Sequence, residues 1–253
     1  MVGAQSLQFG HRATLPGAAR REKPIISQIV SDNSGPPAKA GHTADRVGFF
    51  TDAVFAIAMT LLVIEIPRPE AAAFSVGHGV SKAKAFDHLA HFLGGQWDAF
   101  YAYFLTFLIL WIVWRQHHRM FDQFSRVTPR MVGWHFPLLL FAAFLPYASS
   151  TYGHYADNPM AALLYGLVVA VVLFCRTLIQ AEGLQDGVLI EGADREDYRA
   201  EVTVSWITSG YWILTLALVW WTPWVGIPWL LASAFATLVR SVVRRRRWRS
   251  APV

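Results

Sequence analysis

Long apolar runs alternate with short polar segments along most of this sequence. Each run is around 18–20 residues long, about the length that a helix needs to cross a membrane. No continuous polar face covers these runs, so a soluble bundle of amphipathic helices is not indicated. The pattern predicts an all-α membrane protein with six transmembrane helices. The predicted spans are Phe49–Ile66, Trp97–Trp114, Met131–Ser150, Met160–Ile179, Thr203–Trp221 and Trp224–Val243.

The polar segments divide the chain into three predicted regions. Residues 1–45 are rich in Gly, Pro, Ala and Ser, and we expect a disordered cytoplasmic tail there. Residues 46–243 form the six-helix transmembrane domain, and residues 244–253 form a basic cytoplasmic tail. Within the domain, "KAKAFDHLAHFL" in the segment Pro67–Gln96 predicts a short interfacial helix. The acidic segment Ala181–Glu201 is expected to be a loop or a short surface helix.

Composition supports the membrane class. Hydrophobic residues make up 54% of the 253 residues and charged residues only 15%, against about a quarter charged in soluble domains. The single cysteine, Cys175, lies inside an apolar run, so no internal disulfide can form.

Basic residues are distributed unevenly between the two sides of the predicted bundle. With the N-terminus inside, the inner segments carry 19 of the 22 Lys and Arg residues. Because positively charged loops stay in the cytoplasm, we expect both termini there, in a multi-pass protein of the cell inner membrane. The arginine run "VVRRRRWR" is interpreted as a topology determinant. Anionic lipid is its candidate partner, and no nucleic acid is expected.

The first span places one set of aliphatic side chains on a single face. At 100° per residue, Leu61 and Ile64 fall within about 40° of Ile57, and Thr60 lies about 60° away. Asp52 falls on the opposite side of the helix. By itself, this aliphatic face could meet lipid, a neighbouring helix or a pore.

Asp52 is the most costly residue of the first span. A charged Asp within a membrane helix costs about 3 kcal/mol, so its side chain should face protein or water. Trp114, His117 and His118 end the second span near the same depth, and their ring N–H groups can donate to a carboxylate. The alternative is that Asp52 caps the helix start and that the histidines lie among the lipid headgroups.

Three segments resemble the transmembrane protein 175 family of potassium channels. "RVGFFTDAVFAIAMTLLVIEI" resembles the family's Arg-x-x-x-Phe-Ser-Asp signature and first helix, with Thr51 in place of Ser. Trp114, His117 and His118 resemble its Trp-x-x-His-His pattern. "FAAFLPYAS" resembles its Phe-Leu-Pro-Phe stretch, with Tyr147 for the last Phe. The likeness covers roughly Arg46 to Val243.

The resemblance implies a homotetramer whose first helices line a central pore that conducts K⁺ in preference to Na⁺. It puts the narrowest ring at Ile57 and a second layer at Thr60, with Leu61 and Ile64 continuing outward as a hydrophobic gate. No cofactor is implied. A polar network is predicted around this helix from Arg46, Thr51, Asp52, Trp114, His117 and His118.

Two other functions are alternatives to a passive channel. A proton-coupled transporter or proton-permeable carrier could use Asp52 with His117 and His118 as a relay. A membrane enzyme could use the two histidines as acid–base or metal groups, but adjacent histidines on a helix point about 100° apart, which suits separate hydrogen bonds better than one metal. His88 and His91 alone are too few ligands to predict a metal site.

Overall fold

The computed structural model describes residues 44–69, 76, 80–185, 187–222 and 224–250. Within these residues all regular secondary structure is helical, and six of the helices are long and apolar enough to cross a membrane. Two short 3₁₀ segments, Leu62–Glu65 and Leu216–Trp221, directly follow the α-helices that end at Leu61 and Thr215. The α-helices are α1 (Ala44–Leu61), α2 (Lys82–Gly94), α3 (Trp97–Phe121), α4 (Pro129–His154), α5 (Pro159–Glu182), α6 (Arg195–Thr215) and α7 (Gly226–Ser250).

Local sequence signals fix where several of these helices begin. The Thr128 hydroxyl accepts a hydrogen bond from the Met131 amide at 3.2 Å, and Pro129 occupies the first turn of α4. Asn158 and Pro159 play the same parts at the start of α5. A capping side chain accepts a hydrogen bond from an otherwise unpaired N–H in the first turn. Proline has no N–H, and in the first turn this costs nothing because an N–H there has no acceptor within the helix.

The helices pack around the α4–α5 pair. α3 packs against α4, and α1 rests on both α3 and α4. On the other side, α6 packs against α5, and α7 packs against α6. Within the described residues, α1 therefore packs mainly against α3 and α4.

An aromatic cluster joins the later helices. The Trp212 and Trp229 rings stack at 5.6 Å, and the Tyr165 ring lies 5.3 Å from that of Trp229. Both indole N–H groups have acceptors: Trp212 donates to the Gly166 carbonyl at 2.9 Å and Trp229 to the Thr215 hydroxyl at 2.8 Å. Satisfying these polar atoms removes the cost of burying them away from water.

The six predicted spans are confirmed as helices, but several of them begin earlier or end later than expected. α6 begins at Arg195 rather than Thr203, so the end of the acidic segment Ala181–Glu201, predicted as a loop or a short surface helix, belongs to this long helix. Asp194 caps this helix through the amides of Glu196 and Asp197, and Tyr198 is buried in its first turn.

The two predicted tails are described only in part. α7 continues through the arginine run to Ser250, so the start of the predicted basic tail is helical. Residues 1–43 and 251–253 of the predicted tails lie outside the described residues. The short helix predicted between the first two spans is present as α2.

Candidate functional site

α1 has two contrasting faces. Phe55, Ala58 and Leu62 are at most 2% exposed and form the face that packs into the subunit. Ile57 and Ile64, on the other face, are 59% and 58% exposed. The described helices of the same chain therefore leave the aliphatic face of α1 uncovered.

Asp52 is hydrogen-bonded to the second span. The Trp114 indole N–H donates to the Asp52 Oδ1 atom at 2.9 Å. His118 Nδ1 lies 3.6 Å from the other carboxylate oxygen, and the Trp114 and His118 rings stack with centroids 5.8 Å apart. The Asp52 side chain remains 28% exposed, so it keeps partial contact with the surroundings of the subunit.

His117 does not join Asp52, contrary to the predicted network. It is fully buried, and its Nε2 atom lies 3.0 Å from His135 Nε2 on α4. Neighbouring residues on a helix point about 100° apart, so His118 and His117 cannot both turn toward the same carboxylate. The relay of one carboxylate and two adjacent histidines, which a proton carrier would use, is therefore not assembled in this structure.

The two buried imidazoles fix one another's tautomers. His135 Nδ1 lies 2.6 Å from the Met131 carbonyl oxygen, which can only accept, so Nδ1 carries the hydrogen. In a neutral pair, His135 Nε2 then accepts and His117 Nε2 donates. His117 Nδ1 is left as a buried acceptor, without a hydrogen-bond partner among the described residues.

His117 also forms a packing contact with α1. Its ring stacks on Phe121 with centroids 4.4 Å apart and lies 6.4 Å from the Phe55 ring. The residue thus joins α1, α3 and α4: it packs against the first, belongs to the second and bonds to the third. Asp52 and Phe55 are held by neighbouring turns of α3, which fixes the rotation of α1 about its own axis.

The remaining predicted network residues are separate from this joint. Thr51 is buried, and its hydroxyl has no hydrogen-bond partner within the described residues. Arg46 is exposed and forms no ion pair within the described part of the chain. Neither side chain is connected to Asp52 in a single subunit.

Thr60 lies on the exposed face, and its hydroxyl is oriented by its own helix. Its Oγ1 atom donates to the Ile57 carbonyl at 2.8 Å. Because the hydroxyl hydrogen is used inside the helix, the oxygen lone pairs are what Thr60 offers to a group beside this face. A cation could accept such an oxygen as a ligand.

One functional candidate escaped the sequence analysis. His135 is a single polar residue within the apolar stretch "MVGWHFPLLLF", and this isolated polar residue in an apolar run is the sequence feature that could have indicated a buried polar contact.

No group of three potential metal ligands occurs among the described residues. On α2, the His91 Nε2 atom lies 3.7 Å from the Asp87 Oδ1 atom, and both side chains are strongly exposed.

Known proteins that are similar to this chain include named ion channels. The family model described as "Endosomal/lysosomal potassium channel TMEM175" matches residues 46–146, which include every site residue discussed above. A protein from Chamaesiphon minutus, named a potassium channel, is 28% identical over 76% of this chain and 92% of its own. Over residues 46–146, the chain is therefore similar to the TMEM175 family. This family comprises ion channels and not enzymes.

A solved structure and a mammalian protein extend the comparison. The crystal structure of a Chamaesiphon minutus homologue of the lysosomal potassium-selective channel TMEM175 superposes on this chain with a TM-score of 0.63 at 23% identity. It covers 78% of this chain and 97% of that chain, and it supports the fold. A rat protein named "Endosomal/lysosomal proton channel TMEM175" is 28% identical over 54% of this chain and 26% of its own length.

The Asp52–Trp114 hydrogen bond should contribute measurably to stability. Asp52→Ala leaves the indole N–H without its acceptor, and we expect it to lower the free energy of unfolding by about 1–3 kcal/mol. Asp52→Asn keeps an acceptor oxygen and should cost less. Asp45→Ala, which changes an exposed acid at the start of the same helix, is the matched control. The measurement is denaturant titration in detergent of Asp52→Ala, Trp114→Phe and the double variant. If the double variant loses as much unfolding free energy as the two single variants together, the result contradicts the contact.

The buried imidazole pair should also stabilise the helix joint. His135→Leu leaves the His117 N–H without an acceptor and should cost about 1–3 kcal/mol of unfolding free energy. His135→Gln can keep an acceptor near the same position and should recover part of this loss. Phe136→Leu, at a neighbouring residue that is 72% exposed, is the control for substitutions in α4. Equal stability of the Leu and Gln variants in detergent would show that the bond is unimportant.

Proposed function

We propose that this chain is the subunit of a homotetrameric channel that conducts K⁺ passively and in preference to Na⁺. Its four α1 helices line the central pore, both termini lie in the cytoplasm, and the protein resides in the cell inner membrane. The observation that carries the proposal is the uncovered aliphatic face of α1, on the side opposite to the face packed within the subunit. The potassium-channel name of the Chamaesiphon minutus relative supports the choice of ion.

The proposed constriction is a ring of four Ile57 side chains. Leu61 and Ile64 continue this surface in the outward direction, at 40% and 58% exposure in the single subunit. A narrow ring of methyl groups stays dry, so an ion must shed water or the ring must widen before conduction. K⁺ sheds water more readily than Na⁺, which gives the proposed pore a preference for K⁺ without a filter of backbone carbonyls.

Thr60 would moderate the cost of dehydration. Its hydroxyl oxygen lies one turn after the Ile57 position, and its hydrogen is already donated to the Ile57 carbonyl. Four such oxygens could partly replace water around a cation as it leaves the apolar ring. This arrangement assigns the barrier to Ile57 and part of the selectivity to Thr60.

The proposed constriction is tested by paired K⁺ and Na⁺ fluxes in liposomes. Ile57→Asn places four amides in the ring, and we expect higher cation flux and a smaller K⁺ preference because the ring becomes hydrated. Thr60→Ala should mainly reduce the preference. Val63→Asn is the control, because Val63 is 53% exposed on another side of the same helical segment.

Two results would reject this assignment. If Ile57→Asn leaves both fluxes unchanged while the protein remains tetrameric, Ile57 does not line the narrowest point. If Val63→Asn changes the K⁺ preference as strongly as Ile57→Asn, the proposed rotation of α1 is wrong.

Proton permeation is a second candidate because the rat relative is named a proton channel. A dry ring of isoleucines passes protons only when water connects its two sides, so hydration of the ring should control both ions. Proton flux measured with a pH-sensitive dye in the same liposomes should rise in Ile57→Asn. A wild-type proton flux that is unaffected by any change at Ile57 or Thr60 would place proton movement outside this pore.

A further inference from the structure

A groove of about 510 Å³ runs between α3 and α7, on the part of the subunit away from α1. α5 and α6 form its floor. The volume lies in the range of about 300–1,000 Å³ that is typical of small-molecule sites. The groove is separate from the proposed pore, since no residue of α1 lines it.

The two ends of this groove differ in chemistry. Toward the starts of α3 and α7 its walls are apolar, with Leu105, Leu108, Leu230 and Ala236 among the lining residues. Toward the ends of these helices it is lined by arginines. A site with an apolar trough that leads to a cationic end matches the shape of an anionic amphiphile.

Positive charge exceeds negative charge at the cationic end. Five arginines and two acidic residues line the groove. On α7, Arg240 is paired with Glu201 at 3.1 Å, and Arg244 lies 3.4 Å from the same carboxylate. On α3, Arg115 and Arg119 are one turn apart, and neither has an ion-pair partner within the described residues.

Arg176 on α5 is the most informative of these arginines. It is only 4% exposed, and one of its terminal nitrogens donates to the Ser205 hydroxyl at 3.0 Å. Its Nε atom has no hydrogen-bond partner, and no carboxylate lies within 4.0 Å of it in the described part of the chain. An unneutralised guanidinium buried in this way is costly, and an anionic group in the groove would offset the cost.

We propose that this groove binds an anionic phospholipid. The phosphate lies among Arg115, Arg119 and Arg176, and one acyl chain follows the apolar trough between α3 and α7. Basic pockets between transmembrane helices are a recurrent type of site for anionic lipid headgroups. The bilayer supplies such a ligand directly, whereas a soluble anion would leave the apolar walls of the groove unoccupied.

The test measures lipid binding by native mass spectrometry and by the thermal stability of the purified protein in detergent. Phosphatidylglycerol should bind and raise the unfolding temperature, and phosphatidylcholine should do neither. Arg115→Gln and Arg119→Gln should each weaken phosphatidylglycerol binding about fivefold. Arg245→Gln removes an exposed arginine on α7 that does not line the groove, and it is the control for charge.

A second pair of variants tests the apolar trough. Ala236→Trp should fill it and reduce lipid binding, whereas Leu238→Trp, which changes a residue that is 62% exposed and outside the groove, should not. Three results would overturn the proposal. The first is equal phosphatidylglycerol binding by Arg119→Gln and Arg245→Gln, and the second is that inorganic phosphate alone stabilises the protein as much as phosphatidylglycerol does. The third is that Ala236→Trp dissociates the oligomer while the wild type carries no bound lipid. That result would show that a second copy of the chain fills the groove.

Discussion

The hydrogen bond from Trp114 to Asp52 sets the rotation of α1, and the functional account depends on that rotation. An uncompensated carboxylate is costly within a membrane helix, so Asp52 must face a donor. The donor lies on α3, at 2.9 Å. Once Asp52 faces α3, helix geometry turns Ile57 to the opposite side. The contact between Phe55 and His117 holds the same rotation one turn further along α1.

In the proposed channel, this arrangement separates stability from conduction on a single helix. The inner face of α1 carries the polar and aromatic contacts that attach it to α3 and α4, while the outer face between Ala53 and Ile64 carries aliphatic side chains and the Thr60 hydroxyl. A charged residue on the outer face would hydrate a pore permanently, whereas the same charge on the inner face is neutralised by its neighbours. The buried His117–His135 pair strengthens the attachment without placing a titratable group on the outer face.

The sequence was informative wherever the physics is local to one helix. Apolar run length predicted the six spans, and a 100° advance per residue predicted that Asp52 and Ile57 lie on opposite sides of α1. Contacts between helices were harder to predict. Sequence alone could not decide which of two adjacent histidines turns toward Asp52, because the choice depends on His135 in α4. The early start of α6 at Arg195 was not predicted because the segment around Tyr198 is rich in charged residues. Tyr198 is buried by contacts with other helices, and the sequence of this segment alone does not show such contacts.

Silver-ion accessibility of single cysteines in α1 tests the central claim most directly. Cys175 is buried and can be replaced by Ser, so that each introduced cysteine is the only thiol in the chain. Silver ions are small monovalent cations that bind thiolates, and they should block K⁺ flux when the cysteine faces the pore. The account predicts block at positions 57, 60, 61 and 64 and none at 55, 58 and 62. Block at the second set, with the first set insensitive, would contradict the rotation of α1 and the pore built on it.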